Sequence, residues 1–221
     1  MVIIPAYQAQ ATIGSLVEEV RGLGLPVLVV DDASTDGTPH RAREAGAELL
    51  QRSENGGKGC ALRDGLAWGC QAGYHWLVTM DADGQHLAAE ISPLLEKAKE
   101  RGVDLVIGNR MGDPSGMPWE RRLTNQLMSW WISRMTGDLI PDTQCGFRVI
   151  PRRILECVKL TSDRFEIESE LVIRSIWAGF RVASVPVSSV YKAHSSFIRP
   201  LRDTVRFFRL IRRLRRERSC L

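Results

Sequence analysis

The first 110 residues predict an α/β protein built on an open, mostly parallel sheet. Three observations carry that expectation. Short apolar runs alternate with amphipathic segments from residue 2 to about 110. Several runs are apolar at every position, the pattern of strands covered by helices on both faces. Polar clusters stand just past the ends of three runs (Pro5-Ala6-Tyr7, Asp31-Asp32 and Asp81-Ala82-Asp83), where open α/β sheets bind their ligands.

The elements follow in order. Val2-Ile3-Ile4 reads as a short strand stopped by Pro5. A helix is expected over 12–23, with Thr12 as N-cap, Ile13, Leu16, Val17 and Val20 on one face, and Gly22 and Gly24 at its end. Pro26-Val27-Leu28-Val29-Val30 is a buried strand running into Asp31-Asp32. Ser34 to Thr38 is turn chemistry, and a helix follows over about 38–45. A weaker strand spans 47–50, a helix 59–72, and a buried strand 76–80 ends at Asp81-Ala82-Asp83. An amphipathic helix over 89–101 and a strand over 104–108 complete the alternation. Further helices are expected around Trp130-Trp131 and from about 165 to Trp177.

Composition excludes several classes. Apolar residues make up 44% and charged residues 25%, which suits a folded globular chain rather than a disordered one. No apolar run approaches the ~18–20 residues that cross a bilayer, and the start, MVIIPAYQ, lacks the basic and apolar regions of a secretory signal. Cys60, Cys70, Cys145, Cys157 and Cys220 are widely spaced with no CxxC, so a disulfide framework or zinc site is not expected and a reducing cytoplasm is. The net charge of +4 is uneven. Between Arg199 and Arg218 nine arginines face two acids, Asp203 and Glu217, which leaves a mildly acidic body with a strongly basic tail.

Two carboxylates one residue apart at the end of a buried strand, Asp81 and Asp83, can share a divalent cation. Hard oxygen ligands suit Mg²⁺ or Mn²⁺, ions that commonly bridge to phosphates. Gln85 and His86 follow closely and could add ligands. The run DDASTDGT at 31–38 reads either as a capped turn or as a strand-end carboxylate that accepts hydrogen bonds from a nucleobase or ribose. Asn55-Gly56-Gly57-Lys58-Gly59 lacks P-loop spacing; it is a plain turn or a glycine turn that brings Lys58 to phosphate. Phe165 to Leu171 carries acids at alternate positions, Glu166, Glu168 and Glu170, which read as an exposed helix start or as an acidic contact near an acceptor.

Taken together, Pro5-Ala6-Tyr7, DDASTDGT (31–38), NGGKG (55–59), DADGQH (81–86), GNR (108–110) and DTQCGFR (142–148) resemble the family-2 glycosyltransferases of GT-A fold. Within them the chain is most similar to the dolichyl-phosphate or polyprenyl-phosphate mannose and glucose synthases, and the likeness covers about 1–195. The resemblance implies a metal-dependent inverting transfer of a hexose from a nucleotide-diphosphate sugar, of GDP-mannose or UDP-glucose type, to a membrane polyprenyl phosphate. Pro5, Ala6 and Tyr7 would line the nucleobase pocket, and Asp32 would bind the base or ribose. Lys58 would lie near the nucleotide. Asp81, with Ala82, would hold ribose and diphosphate, and Asp83 with Gln85 would bind the Mg²⁺ or Mn²⁺. Arg110 would face the sugar or the incoming phosphate, and the 142–148 segment would close the sugar site. Asp142 is the candidate base if the acceptor is a hydroxyl. Arg148, Lys192 and His194 are candidate acceptor contacts. Where such relatives read P-x-Y-N-E, this chain reads Pro5-Ala6-Tyr7-Gln8-Ala9, which leaves guanosine and uridine both open.

The C-terminal stretch predicts a basic amphipathic helix over 196–221, starting near Pro200, as an appendage to a 1–195 domain. Arg202, Arg206, Arg209, Arg213 and Arg216 share one face, and Leu201, Val205, Phe208, Ile211 and Leu214 lie broadly opposite. Such a helix is expected to rest on an anionic membrane, docking on the body or on a partner being the alternatives. Met117-Pro118-Trp119 and Trp130-Trp131 form a second candidate interface, adjacent tryptophans suiting a membrane boundary. Nucleic acid is not an expected partner, since the body is acidic and carries no recognition motif. The expected location is peripheral, at the cytosolic face of a membrane, with a membrane-protein partner or self-association left open. Three other functions remain as alternatives: transfer to a lipid or saccharide hydroxyl, a sugar-nucleotide nucleotidyltransferase, and a non-catalytic scaffold. Against the second, this chain lacks the Gly- and Lys/Arg-rich phosphate loop that such an enzyme carries after its first strand.

Overall fold

In a computed structural model of the chain, residues 1–113, 116–189 and 200–219 are described. The chain forms β1 (Val2–Ala6), α1 (Ile13–Gly22), β2 (Val27–Asp31), α2 (Thr38–Glu44), β3 (Glu48–Gln51), α3 (Lys58–Gln71) and β4 (Trp76–Thr79). A 3₁₀ turn over Ala88–Glu90 leads into α4 (Ile91–Lys99), followed by β5 (Leu105–Asn109) and α5 (Trp119–Thr136). The second half adds β6 (Arg148–Pro151), α6 (Arg152–Cys157), α7 (Glu166–Trp177), β7 (Val182–Pro186) and α8 (Pro200–Ser219). The alternation expected over residues 2–110 is present, with boundaries shifted by a residue or two.

Seven strands form one sheet in the order β3-β2-β1-β4-β6-β5-β7. Six run in one direction; β6 runs against both of its neighbours, β4 and β5. The sheet is therefore mixed, and together with its flanking helices it has the GT-A architecture. The core follows from the apolar runs: Val2, Ile3 and Ile4 of β1 and Leu28, Val29 and Val30 of β2 are almost wholly buried. The four described cysteines are free.

Pro5 does not end β1. The strand continues through it to Ala6, pairing Pro5 with Val30 and Ala6 with Asp31. Odd-numbered residues of β1 face β4, as Ile3 does in accepting from Met80 N–H. The β1–β4 pairing stops at Ile3 and Thr79, so the N–H that proline lacks would have faced a side where no strand is paired. Thr12 stands at the N-cap position of α1 but does not cap it. Its hydroxyl donates to the carbonyl of Ala82 at 2.5 Å, tying α1 to the end of β4.

The C-terminal helix docks on the body, the first of the alternatives left open to a membrane contact. Phe207, Leu210, Ile211 and Leu214 of α8 are buried and join the main core, with α8 packed on α7 and α5. The spacing i, i+3, i+4, i+7 is that of a helix docked along one stripe. Arg174 of α7 pairs with Glu217, and Arg213 lies 3.3 Å from Glu170, also of α7. The boundary drawn at 195/196 lies outside the described residues. Leu214→Ala should therefore lower unfolding stability by about 2–5 kcal/mol, as for any buried leucine. Urea denaturation would measure it, and a loss within error of zero would return α8 to the status of a free tail.

Candidate active site

The site lies where β1 and β4 part. The chain proceeds from β1 outward to β2 and β3 on one side and places β4 on the other, so their carboxyl ends flank a topological switch point. Pro5, Ala6 and Tyr7 leave β1 there, Asp31 and Asp32 close β2, and Asp81, Ala82 and Asp83 follow β4. Asn109 and Arg110 end β5 at the same edge. Because β6 runs in reverse, the loop before it, 142–147, also arrives there: Arg148 opposes Thr79, and the Thr79 hydroxyl donates to Gly146 O at 2.7 Å.

At the centre, Lys58 Nζ lies 2.5 Å from Asp81 Oδ1 and 2.5 Å from Glu168 Oε1. The first turn of α3 thus joins the end of β4 to α7. Burial alone would raise the Asp81 pKa, but the Lys58 ammonium outweighs it and holds Asp81 at about 2. Burial likewise opposes the charge on Lys58, and Asp81 and Glu168 reverse that and raise its pKa. Glycine is required at 146, where a Cβ would lie 2.7 Å from Asp81 Oδ1 and 2.8 Å from Glu168 Oε1. Glu168 is 4% exposed and faces Lys58, so it is not part of an exposed helix start.

The glycine turn is organised by Asp32. Its Oδ1 accepts from Gly56 N at 3.0 Å and its Oδ2 from Gly57 N at 2.7 Å, with Arg52 Nε 2.9 Å away. Gly57 has φ of +94°, a backbone region that favours glycine. Asp32 therefore shapes the loop that presents Lys58. Its neighbour Asp31 differs: Oδ2 accepts from Ser34 N at 3.2 Å, while the buried Oδ1 has no partner. Tyr7 is 38% exposed at the rim. The loops after β1 and β2 are stitched together, Gln8 N donating to Ser34 Oγ, Ala9 N to Thr38 Oγ1 and Gly37 N to Gln10 Oε1. Gln8 and Ala33 hold φ of 52° and 60° in these loops, the strained backbone that gathers at functional sites.

Arg110 and Asp142 form a closed pair, 3% and 0% exposed. Asp142 Oδ2 accepts from Arg110 Nε at 2.8 Å and Oδ1 from Arg110 Nη2 at 3.0 Å, and Gln144 N also donates to Oδ1. Burial would raise the Asp142 pKa, yet Arg110 holds it below the ordinary carboxylate range. A buried acid with both oxygens taken and little proton affinity does not suit the base role expected of it.

Arg148 is not an acceptor contact either. It is 1% exposed and donates to three carbonyls, Cys145 O, Thr143 O and Glu168 O, locking the 142–147 loop onto α7. Lys192 and His194 lie outside the described residues. His86 is buried, packs its ring 5.1 Å from Phe147 and sets Nε2 3.8 Å from Cys145 Sγ, while its Nδ1 has no hydrogen-bond partner.

Asp83 is exposed, and its Oδ1 accepts from Gln85 N at 3.0 Å. Its pKa is raised by desolvation and by the nearby Asp81 carboxylate. Among the described residues no group of three His, Cys, Asp or Glu side chains could enclose a metal. Two strand-end carboxylates still fit Mg²⁺ or Mn²⁺, since such ions take one or two carboxylates and complete their shell with water and phosphate oxygens. A cation would also relieve the repulsion that raises Asp83.

Comparison with known proteins agrees with this architecture. Residues 1–159 match the model of glycosyl transferase family 2. The chain is 34% identical over 202 residues to a polyprenol monophosphomannose synthase of Mycolicibacterium smegmatis, covering 85% of this chain and 76% of that one. It is 33% identical over 205 residues to an undecaprenyl-phosphate mannosyltransferase of Micrococcus luteus, covering 86% and 83%. Among solved structures, glucosyl-3-phosphoglycerate synthase from Mycobacterium tuberculosis, with Mn²⁺, UDP and phosphoglyceric acid, superposes with a TM-score of 0.70 at 20% identity. That match covers 88% of this chain and 70% of the other.

The buried imidazole has a measurable consequence. Burial lowers the His86 pKa from 6.5 to about 4, against the attraction of Asp81. The unfolded chain takes up that proton below pH 6.5 and the folded protein does not until pH 4. This contribution to stability is complete above 6.5 and falls by on the order of 3 kcal/mol as pH drops through 4. His86→Gln should flatten the slope of urea midpoints between pH 6.5 and 4. An unchanged slope would assign the proton uptake to another group.

Proposed function

The chain belongs to glycosyl transferase family 2, and on that premise we propose that it moves a hexose from a nucleotide-diphosphate sugar to a membrane polyprenyl phosphate, with inversion and with a divalent cation. Relatives at 34% and 33% identity whose names specify polyprenol and undecaprenyl-phosphate mannose transfer support a lipid-phosphate acceptor. The observation that carries this choice is the state of Asp142. Its carboxylate is committed to Arg110, so the site's candidate base is engaged. An acceptor phosphate oxygen is already anionic and needs no base, whereas a hydroxyl does.

Bond changes are then simple. The anomeric carbon loses its bond to the nucleotide diphosphate, which departs with the electron pair, and gains one to the acceptor phosphate oxygen on the opposite face. Tyr7, with Pro5 and Ala6, offers a surface for the base at the end of β1. Asp31 Oδ1, buried and unpartnered, can accept a hydrogen bond from base or ribose. Lys58 supplies a fixed positive charge beside Asp81, where diphosphate charge collects. Asp83, with Asp81 and Gln85, would hold the cation, which when bound would neutralise the departing diphosphate. Arg110, oriented by Asp142, adds a second preorganised cation at the end of β5.

The test is a donor–acceptor matrix. Purified protein with Mg²⁺ or Mn²⁺ is incubated with GDP-mannose, UDP-glucose or UDP-GlcNAc, each with and without a short polyprenyl phosphate. Acceptor-dependent nucleotide release with one donor is the expected result. Donor binding without transfer would move the assignment to a hydroxyl acceptor, and no donor binding would favour a scaffold. Asp83→Ala should reduce turnover at least about a hundredfold while leaving the circular dichroism spectrum and melting temperature unchanged. Turnover at the native level would remove the cation from Asp83.

A further inference from the structure

Of the ten large apolar side chains that are exposed among the described residues, seven belong to α5, the loop after it and α8. Trp119, Leu123, Leu127 and Trp130 recur at i, i+4, i+8 and i+11, so they share one face of α5. Their exposures are 71%, 59%, 45% and 56%, and Leu139 in the next loop is 92% exposed. The opposite face of α5, with Met128 and Ile132, is buried in the body. An apolar stripe of this size on a helix whose other side is already packed is a docking surface.

The stripe continues onto α8 by aromatic contact. Trp130 meets Trp131 edge-on at 5.5 Å, and Trp131 meets Phe208 edge-on at 6.0 Å. Between the two helices runs a groove of about 400 Å³ with Trp131, Phe208 and Ile211 along it and Arg212, Arg215 and Arg216 at its side. Arg215 lies over the Trp131 ring at 5.7 Å. Tryptophan and leucine beside a row of arginines match one chemistry, the boundary between acyl chains and anionic headgroups. No described helix is long and apolar enough to cross a membrane, so contact through these two helices is interfacial.

We infer that the surface formed by the exposed stripe of α5 and the arginines of α8 seats the protein on an anionic lipid bilayer. Most of the apolar groups that enter the lipid come from α5, because Phe207, Leu210, Ile211 and Leu214 of α8 are occupied by the body and only Val205 and Phe208 of that helix stay exposed. The arrangement also connects membrane to chemistry. On its inner side α5 carries Ser129, whose Oγ accepts from Thr143 N at 2.9 Å, next to the Arg110–Asp142 pair. One helix, about 10–12 Å across, separates the bilayer from the site where a lipid phosphate would react.

This inference rests on the proposed lipid-phosphate acceptor for its purpose but is tested without it. Full-length protein is sedimented with sucrose-loaded vesicles of phosphatidylcholine alone or with 30 mol% phosphatidylglycerol, in ~50 and ~500 mM salt, bracketing the Debye screening range. Binding is expected only to the anionic vesicles and is expected to weaken at high salt. Leu123→Glu/Leu127→Glu, at exposed positions, should reduce the bound fraction at least tenfold with an unchanged circular dichroism spectrum. Arg212→Gln and Arg215→Gln should each weaken binding about fivefold at low salt. The Leu123/Leu127 variant should keep its transfer rate to a short, detergent-soluble polyprenyl phosphate and lose it with a long-chain acceptor in vesicles. Undiminished binding of that variant, or no binding by the wild type, overturns the inference. So does a dimeric mass in vesicle-free solution that the variant converts to monomer, which would assign the stripe to a second copy. Failure of transfer from every donor with intact vesicle binding would instead count against the proposed reaction alone.

Discussion

Lys58 Nζ touches carboxylates from two segments that are 87 positions apart in the chain, Asp81 after β4 and Glu168 in α7. The ligand edge of the sheet also carries Asp31, Asp32, Asp83 and Asp142, a density of acid that would repel itself without cations placed among it. Lys58, Arg110 and Arg52 are among those cations, Lys58 held by Asp81 and Glu168, Arg110 by Asp142 and Arg52 by Asp32. Removing one member of such a buried pair leaves the other uncompensated, at about 3–5 kcal/mol. Much of the surrounding structure serves to hold these charges in place. Asp32 fixes the glycine turn that launches Lys58, Gly146 leaves space for Asp81 and Glu168 to converge, and Arg148 clamps the intervening loop to α7. Stability and ligand charge are therefore set by the same atoms.

The first half of the fold was legible because its strands, β3 excepted, are nearly continuous apolar runs and its turns carry glycine or a strand-end acid. The second half was not. β6 is four residues that begin with Arg148, a charged side chain that is buried only because three carbonyls receive it. No apolar periodicity announces such a strand. β7, Val182–Pro186, is only partly buried and carries a proline at its end. Pro5 misled in the opposite direction. A proline normally ends a strand, but here the missing donor falls where the neighbouring strand has already diverged, a relation that depends on β4 and so lies outside local sequence.

In the site, the residue types were legible and their partners were not. Asp81 and Asp83 stand at the carboxyl edge of the sheet, as their place after a buried run implied, while Lys58 reaches that edge from the glycine turn and Arg110, placed there only by the family resemblance, from the end of β5. Asp142 and Arg148 lay in the same motif, yet burial turned one into half of an ion pair and the other into a clamp for backbone carbonyls. Glu168 and Glu170 show how little alternate spacing says on a helix. They are 100° × 2 apart on the wheel, and one faces Lys58 while the other gathers Thr161, Ser162 and Arg174. On α8 the arginines were read correctly as an exposed face. Its apolar side was left between lipid and the body, because the docking grooves on α7 and α5 have no counterpart in a helical wheel.

The reversed direction of β6 divides the labour of the molecule. The loops that carry Tyr7, Asp32 and Asp83 each leave a strand, whereas the 142–147 loop enters one, so it reaches the ligand edge from the opposite chain polarity. It is anchored at its far end by Arg148 and at its near end by the α5 contact between Ser129 and Thr143. Between the end of α5 and Asp142 the chain can change length or sequence without moving β1, β2 or the glycine turn. On the proposed reaction, a fold wired this way could vary the face next to α5 while the loops after β1 and β2 stay as they are.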